Sequence, residues 1–294
     1  PLYEGLIARG QNAWPNVIVD LFSWLGLFKR AMPASFYYKT FMWPNWHTWE
    51  WLVRRVAGLG KAPTERDPQR YLKQNIHAEM VVVGGGRSGL NAALEASQDP
   101  NLRVLLIDEQ EELGGSLLGS PDYDTRMKLE ELRQQISRQP NIRVLSRTTV
   151  NGYYDNNVLA GAERFSHGKK DSQPGSLRER FWRIFARNVV IATGAIERPL
   201  VFPNNDRPGI MLASAVREYT HRFGLTLGSK IIFFGNNDAA GRTAIELSEA
   251  GIPVMAIVDI RHTVSAELSQ RATRAGIDVH LGDRKSTRLN SSHQ

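Results

Sequence analysis

From residue 80 onward, apolar residues come in short solid runs separated by longer stretches in which they recur every three or four positions. Residues 80–83 (Met-Val-Val-Val) form one such run, closed by glycines, and residues 104–107 (Val-Leu-Leu-Ile) form another. Between them, residues 88–97 place Leu90, Ala93 and Leu94 at helical spacing. A short run that is apolar at every position is a strand buried on both faces, and the intervening helices supply the cover. The pattern therefore predicts a parallel sheet built by βαβ crossovers. It continues with a helix over 124–139 (Met127, Leu129, Leu132, Ile136) and a strand-rich stretch at 142–145, 148–154, 158–165 and 181–186. Residues 166–178 are polar and basic and read as an exposed loop. A buried strand at 188–192, a helix over 211–223 and a strand at 230–234 follow. The last opens a second βαβ unit that runs through Asp259.

The first 60 residues have a different texture. Five of the seven Trp lie between Trp14 and Trp49, with Trp51 just beyond, and short helices such as 49–59 are expected rather than a continuous period. Two readings stay open: an arm packed on another domain, or a subunit contact, since aromatic residues concentrate at interfaces. Residues 61–75, polar and carrying Pro63 and Pro68, read as a linker. The expected division is an aromatic-rich arm and linker over 1–75 and a nucleotide-binding domain over 76–282. Residues 283–294 show no period and resemble the conceptual translation of a sequencing adapter, so they are set aside as an artefactual tail.

Composition narrows the function classes. The apolar stretch at 17–28 is broken by Asp20 and Ser23 and is shorter than the roughly 20 residues a spanning helix needs. The opening Pro1-Leu2-Tyr3-Glu4 has neither a basic region nor a leading Met. It reads as a cytoplasmic protein without membrane attachment, cut from a longer chain. Cysteine is absent, which excludes disulfides, thiolate metal sites and a Cys-x-x-Cys redox centre from these residues. The net charge is +7. Removing the tail takes away three positive charges and one negative and leaves +5. Basic residues alternate with acids, as in Glu130-Glu131-Leu132-Arg133, without an aromatic-plus-basic motif. A solvated surface, not a nucleic-acid interface, follows.

The chemistry concentrates in the turn after the first strand. Gly84-Gly85-Gly86-Arg87-Ser88-Gly89 has the G-x-G-x-x-G spacing, with its strand before and its helix after. Gly84 permits the tight turn, Gly86 lets a pyrophosphate approach the backbone, and Gly89 lets the helix pack on the strand. The helix N-terminus offers free N–H groups to phosphate. Asp108 ends the next strand, where a carboxylate accepts the adenosine ribose hydroxyls and repels a 2′-phosphate. Glu109 is an alternative one residue on. Leu113-Gly114-Gly115-Ser116 lets the chain pass close to a dinucleotide, and the buried strand ending in Ala192-Thr193-Gly194 is a further signature of such domains. The alternative is a degenerate domain with an empty site.

A second strand–turn–helix begins at Ile231, with Asp259 ending its next strand. Asn237 stands where the second glycine belongs, and its side chain would crowd a pyrophosphate. A structural role, with Asn236–Asp238 capping the helix, is the favoured reading. The fold class is α/β: an FAD/NAD(P)-binding Rossmann-like domain with two dinucleotide motifs, a parallel sheet and an inserted β-rich segment, preceded by the arm.

Several longer segments resemble the α subunit of heterotetrameric sarcosine oxidase. They are residues 3–9 (YEGLIAR), 36–44 (FYYKTFMWP), 54–60 (RRVAGLG), 108–115 (DEQEELGG), 147–155 (RTTVNGYYD), 192–203 (ATGAIERPLVFP) and 205–209 (NDRPG). The likeness covers nearly all of residues 1–282. It implies an α chain that binds NAD in this domain, beside a β subunit that carries FAD where sarcosine is oxidised. It also implies a covalent FMN on β near the α–β interface, and smaller γ and δ subunits. An N-terminal domain and a C-terminal folate-binding domain of the family's α chain are not matched, so the sequence is expected to be a middle piece. By position in the motifs, the implied NAD contacts are Ser88, Asp108, Glu109, Gln110, Ser116 and Val150. The family more often has Pro at the position of Arg87 and Ala at that of Ser88.

Nothing in the sequence reads as a catalytic residue. His77, His167 and His221 are isolated, and no nucleophile–base pair, paired carboxylates or metal cluster stands out. With the flavins mainly on another chain, these residues alone are expected to lack oxidase activity. Two other readings remain: an FAD-binding α subunit of an amino-acid or opine dehydrogenase, which shares the ATG and ERP segments, and a non-catalytic scaffold.

Overall fold

The computed structural model describes residues 13–16, 18–28, 41–58, 66–165 and 175–282. The chain divides into two compact units, Pro1–Arg70 with His167–Ser176, and Tyr71–Ser166 with Leu177–Gln294. Of the segments singled out in the sequence, residues 3–9, 36–40, 59–65, 166–174 of the loop and the 283–294 tail lie outside the described residues.

In the first unit, Asp20 accepts the Trp14 N–H at 3.0 Å, and a 3-10 turn follows over Leu21–Phe28. Helix α1 spans Trp46–Val56, earlier than the aromatic spacing suggests. The Asn45 side chain explains the early start, since it accepts the Thr48 N–H at 3.1 Å and so caps the first turn. Trp49 packs on Phe41 with ring centroids 5.4 Å apart and donates its indole N–H to Trp43 O at 2.9 Å. Trp24, Trp43 and Trp51 are exposed.

The second unit opens within strand β1, Arg70–Val83. Its polar half runs where the sequence suggested a linker. A partner strand alongside, not hydrophobicity, holds that half: the strand that ends at Ile191 neighbours β1 in the sheet, and His77 stacks on its Phe185 at 4.7 Å. Helix α2 (Arg87–Ser97), β2 (Val104–Ile107), helix α3 (Tyr123–Arg138) and β3 (Ile142–Leu145) follow. Strand β2 pairs in parallel with β1 and β3, Val81 opposite Leu105 and Leu105 opposite Arg143. Glu79 on β1 is clamped to the residue before β2. It takes the Arg103 guanidinium at 2.7 Å and the Arg103 backbone N–H at 3.0 Å, which together hold the pKa of the carboxyl at about 2.

Beyond β1 the sheet turns antiparallel. Strands β4 (Thr148–Tyr154), β5 (Val158–Arg164) and β6 (Leu177–Ile191) form a meander, and the six-stranded order is β3-β2-β1-β6-β5-β4. The two strands read at 181–186 and 188–192 are one. Arg187 and Asn188 are exposed strand positions, not a break. Where pairing with β5 stops at Phe185, the Asn157 amide takes over and donates to Arg187 O at 2.9 Å.

Alternation along the central strands splits the core in two. Val82, Val104 and Leu106 face the helices and pack with Leu90, Ala93, Leu129 and Ile136. Val81, Leu105 and Ile107 face the other way, into a cluster with Leu159, Trp182 and Ile184. The meander thus covers the face that a second layer of helices would otherwise cover.

Helix α4 (Ala213–Phe223) leads to a second, three-stranded parallel sheet of order β7-β8-β9. Its strands are Ile231–Gly235, Val254–Asp259 and Asp278–Leu281, with helices α5 (Asp238–Glu249) and α6 (Ala266–Arg274) between them. The unit is longer than the βαβ pattern read to Asp259. The unread α6 has its own signals: Ser265 accepts the Leu268 N–H at 3.3 Å, and Leu268 and Ala272 are buried four residues apart.

Leu106 is fully buried in the helix-facing core. Leu106→Ala is expected to lower unfolding free energy by about 2–5 kcal/mol, the range for a cavity that the surroundings do not fill. Urea denaturation followed by circular dichroism measures it.

Candidate dinucleotide site

The glycine turn is formed as its spacing predicts. At Gly84 the backbone has φ +107°, and a Cβ there would lie 2.3 Å from Ala192 O. A Cβ on Gly89 would lie 1.7 Å from Gly84 O, so the helix touches the strand through bare backbone. Gly86 is different. Its φ is −76°, and a Cβ there would meet nothing nearer than Gly115 Cα at 4.0 Å. Protein packing asks for glycine at 84 and 89; at 86 the protein leaves room. Gly86 is also the N-cap of α2 and makes no side-chain cap, so the first N–H groups of the helix are left to another acceptor.

Asp108, 8% exposed, faces this turn. One carboxylate oxygen accepts the Gly85 N–H at 2.5 Å and the other accepts the Gln110 N–H at 2.7 Å. Its own backbone is tied in on both sides, to Leu145 O at 3.0 Å and from Thr148 N–H at 2.8 Å. Asp108 therefore holds the turn to the end of β2, and it keeps lone pairs for a further donor. Glu109 and Gln110 are exposed beside it.

The second glycine pair closes the site from another side. Gly114 N–H donates to Gly85 O at 2.7 Å. Gly115, at φ +54°, passes Gly86 so closely that a Cβ would sit 3.0 Å from Gly86 Cα. Arg133 on α3 fixes this loop by donating to Leu113 O at 2.8 Å. Ser116 and Ser88 are exposed at the rim, Val150 is half-buried on β4, and Thr193 and Gly194 are exposed where β6 ends against the Gly84 turn. Gly84, Gly86, Gly89, Asp108, Gly115 and Thr193 thus gather around one turn. Val150 is not brought to it: the residue packs against the core cluster of Val81, Leu159 and Ile184 on the meander side of the sheet.

The second motif is internally satisfied. Asn237 Oδ1 accepts the Ala239 N–H at 2.9 Å and the Ala240 N–H at 3.4 Å, capping α5. Asp259 is tied to Arg261, which bridges to Asp238 at 2.7 Å. Hydrogen bonding by Arg261 holds the Asp238 carboxyl below its ordinary range. Beside it a cavity of about 530 Å³ is lined by Glu197, Ser214, Arg217, Asn237, Arg242 and Glu246, among others. Glu197 of the ERP segment caps α4 across sequence, accepting the Ser214 N–H at 2.8 Å and the Ala213 N–H at 3.2 Å. Sequence reasoning missed that role, although the lack of a capping side chain at Leu212 left it open.

Among the described residues no group of His, Asp and Glu has the arrangement of a metal site. His221 is held below its ordinary value by burial, and its Nε2 has no hydrogen-bond partner. No described helix is long and apolar enough to cross a membrane.

Residues 78–292 match the pyridine nucleotide-disulphide oxidoreductase family, to which the chain belongs. With no cysteine, these residues supply the family's dinucleotide fold and none of the thiol chemistry in its name. Over 97% of its length the chain is homologous, at 41% identity, to part of the sarcosine oxidase α subunit of Rhizobium meliloti (strain 1021). It is 41% identical over 77% of its length to the sarcosine oxidase α subunit of Corynebacterium sp. (strain U-96). An opine oxidase subunit of Agrobacterium tumefaciens (strain Ach5) is 29% identical over 62% of the chain and 36% of the relative. The chain spans 31% and 24% of the two sarcosine oxidase subunits. Among solved structures, Lactococcus lactis thioredoxin reductase aligns with a TM-score of 0.50 at 18% identity, over 70% of this chain and 64% of that one. That likeness is one of fold.

Gly89→Ala forces α2 away from β1 and is expected to destabilise the domain by more than about 2 kcal/mol. A thermal melt indistinguishable from wild type would contradict this packing.

Proposed function

We propose that the chain is the NAD-binding part of the α subunit of a multi-subunit sarcosine oxidase, a cytoplasmic enzyme. The complex would demethylate sarcosine oxidatively to glycine, with hydrogen peroxide as co-product and the one-carbon unit passed to tetrahydrofolate. The observation that carries the nucleotide half is Gly86. The fold gives no reason for glycine there, whereas a pyrophosphate lying against the turn requires it. The uncapped N-terminus of α2 supplies N–H donors and a positive dipole end to the same place. Asp108 and Glu109 at the end of β2 suit ribose hydroxyls and repel a 2′-phosphate, which favours NAD over NADP.

By motif position the contacts are Gly84, Gly86, Ser88 and Gly89 at the phosphates, and Asp108, Glu109 and Gln110 at the ribose. Gly115, Ser116, Thr193 and Gly194 complete the rim; Val150, a contact by motif position, packs apart from it. These residues bind and orient; none is placed to move a proton on a substrate. Flavin, when bound in the complex, supplies the hydride acceptance and oxygen reduction. FAD and a covalent FMN belong on this reading to the β subunit, with the FMN at its interface with α, and γ and δ complete the assembly. The aromatic-rich arm and linker, residues 1–75, would serve that assembly, and residues 76–282 the nucleotide. The similarity to sarcosine oxidase α subunits supports the assignment. The similarity to the opine oxidase subunit supports a second reading, in which the same turn holds FAD in an amine dehydrogenase.

The direct test is to denature the full-length protein and identify the released nucleotide by absorbance and mass spectrometry. NAD without flavin is expected; FAD would establish the second reading, and an empty site would overturn both. Gly86→Ala should abolish nucleotide retention and shift stability by less than about 1 kcal/mol, since only an N-cap glycine is replaced. Freed of its partners, the chain is expected to give no peroxide from sarcosine in a peroxidase-coupled assay. Turnover at the rate of the complex would place the flavin chemistry here.

A further inference from the structure

Strand β3 ends beside the loop that follows β2, and backbone hydrogen bonds make the join. Arg147 N–H donates to Gln110 O at 2.9 Å. Arg147 itself turns through a left-handed conformation, φ 52°, between β3 and β4. Its guanidinium forms an ion pair with Glu111; the arginine side chain is 27% exposed and the glutamate 64%. An arginine near the end of the second strand is the residue type that accepts an adenosine 2′-phosphate in dinucleotide folds. Its planar fork of donors matches phosphate oxygens. Here a carboxylate already occupies the guanidinium. The next residue, Glu112, pairs with Arg222 at 3.1 Å, and Arg222 is shared with Glu218 at 2.6 Å.

We propose that Glu111 sets the selectivity of this site against 2′-phosphorylated dinucleotides by keeping Arg147 paired. The inference rests on the reading of the glycine turn as the NAD site. Asp108 and Glu109 repel a 2′-phosphate directly. Glu111 adds a second barrier, because it denies that phosphate the counter-charge joined to the ribose-side loop. A mere loop staple would affect NAD and NADP alike. Selectivity instead changes their ratio. The pair lies at the surface, where an ion pair contributes little to folding, so breaking it leaves the domain intact.

The test compares NAD and NADP binding to the full-length protein by calorimetry, after bound nucleotide has been removed. Wild type should bind NAD more tightly than NADP. In Glu111→Gln, NADP affinity should rise roughly tenfold, about what one charge-assisted hydrogen bond supplies at an exposed site. NAD affinity should change by less than about twofold. The gain should shrink in high salt and vanish in Glu111→Gln/Arg147→Gln. Glu112→Gln makes the same change in net charge but leaves Arg222 paired with Glu218, and should give no gain. Retained NAD binding with unchanged NADP affinity in Glu111→Gln, or an equal gain in Glu112→Gln, would overturn the proposal and leave the NAD reading standing. A wild-type protein that binds neither dinucleotide would overturn both.

Discussion

Helix α2 and strand β1 meet with no side chain between them. Gly89 lies against Gly84 O so closely that a single added carbon would sit 1.7 Å away. Much else in the second unit is arranged around that contact. It aims the first turn of α2 over the end of the sheet. It brings the Gly84 turn against Ala192, where β6 ends, and leaves Gly86 with room for a side chain, its nearest neighbour being Gly115 Cα at 4.0 Å. Moving the helix outward by one methyl group would displace its N–H donors from the line of the strand. Gly84 and Gly89 close the helix onto the sheet, and Gly86, which packing does not require, stands between them at the start of the helix.

The acidic loop after β2 is joined to the same turn through Asp108. Asp108 spends its carboxylate first on protein, bridging the Gly85 and Gln110 amides. That makes it a structural member of the turn before any ligand arrives. Glu111 and Glu112 are each committed to an arginine. Four acids within the five residues 108–112 would repel one another in isolation, and three of them have fixed partners. The loop carries negative charge and the start of α2 the positive end of a helix dipole, which on the proposed reading face ribose and pyrophosphate respectively.

The two nucleotide-type motifs show how one local pattern serves two ends. In the first, glycine at 86 is unexplained by the fold and donors are left unpaired. In the second, Asn237 caps its helix and Arg261 neutralises both Asp238 and Asp259. The second motif spends its polar groups on itself and acts as a packing module, with Phe233, Ile245, Ile257 and Leu268 buried behind it.

Much of this was legible along the chain. The solid apolar runs at 80–83 and 104–107 specify strands covered on both sides, because alternating polarity would put half of each run in water. The glycine spacing fixes the strand–turn–helix, since its first and last glycines are required by sterics alone. Asn237 announces a cap by its own chemistry. Other features needed the folded molecule. The polar half of β1 is a strand because β6 lies beside it, and the join of 181–186 with 188–192 is made by partners that local hydrophobicity does not register. Glu197 caps a helix that begins sixteen residues away in sequence, and Arg147, in the β3–β4 connection, finds Glu111 in the loop after β2. Sequence alone determined what is set by near neighbours: period, turn sterics and helix ends. Tertiary structure decided which charges meet, because ion pairs between distant segments depend on where the chain returns, and no local pattern encodes that return.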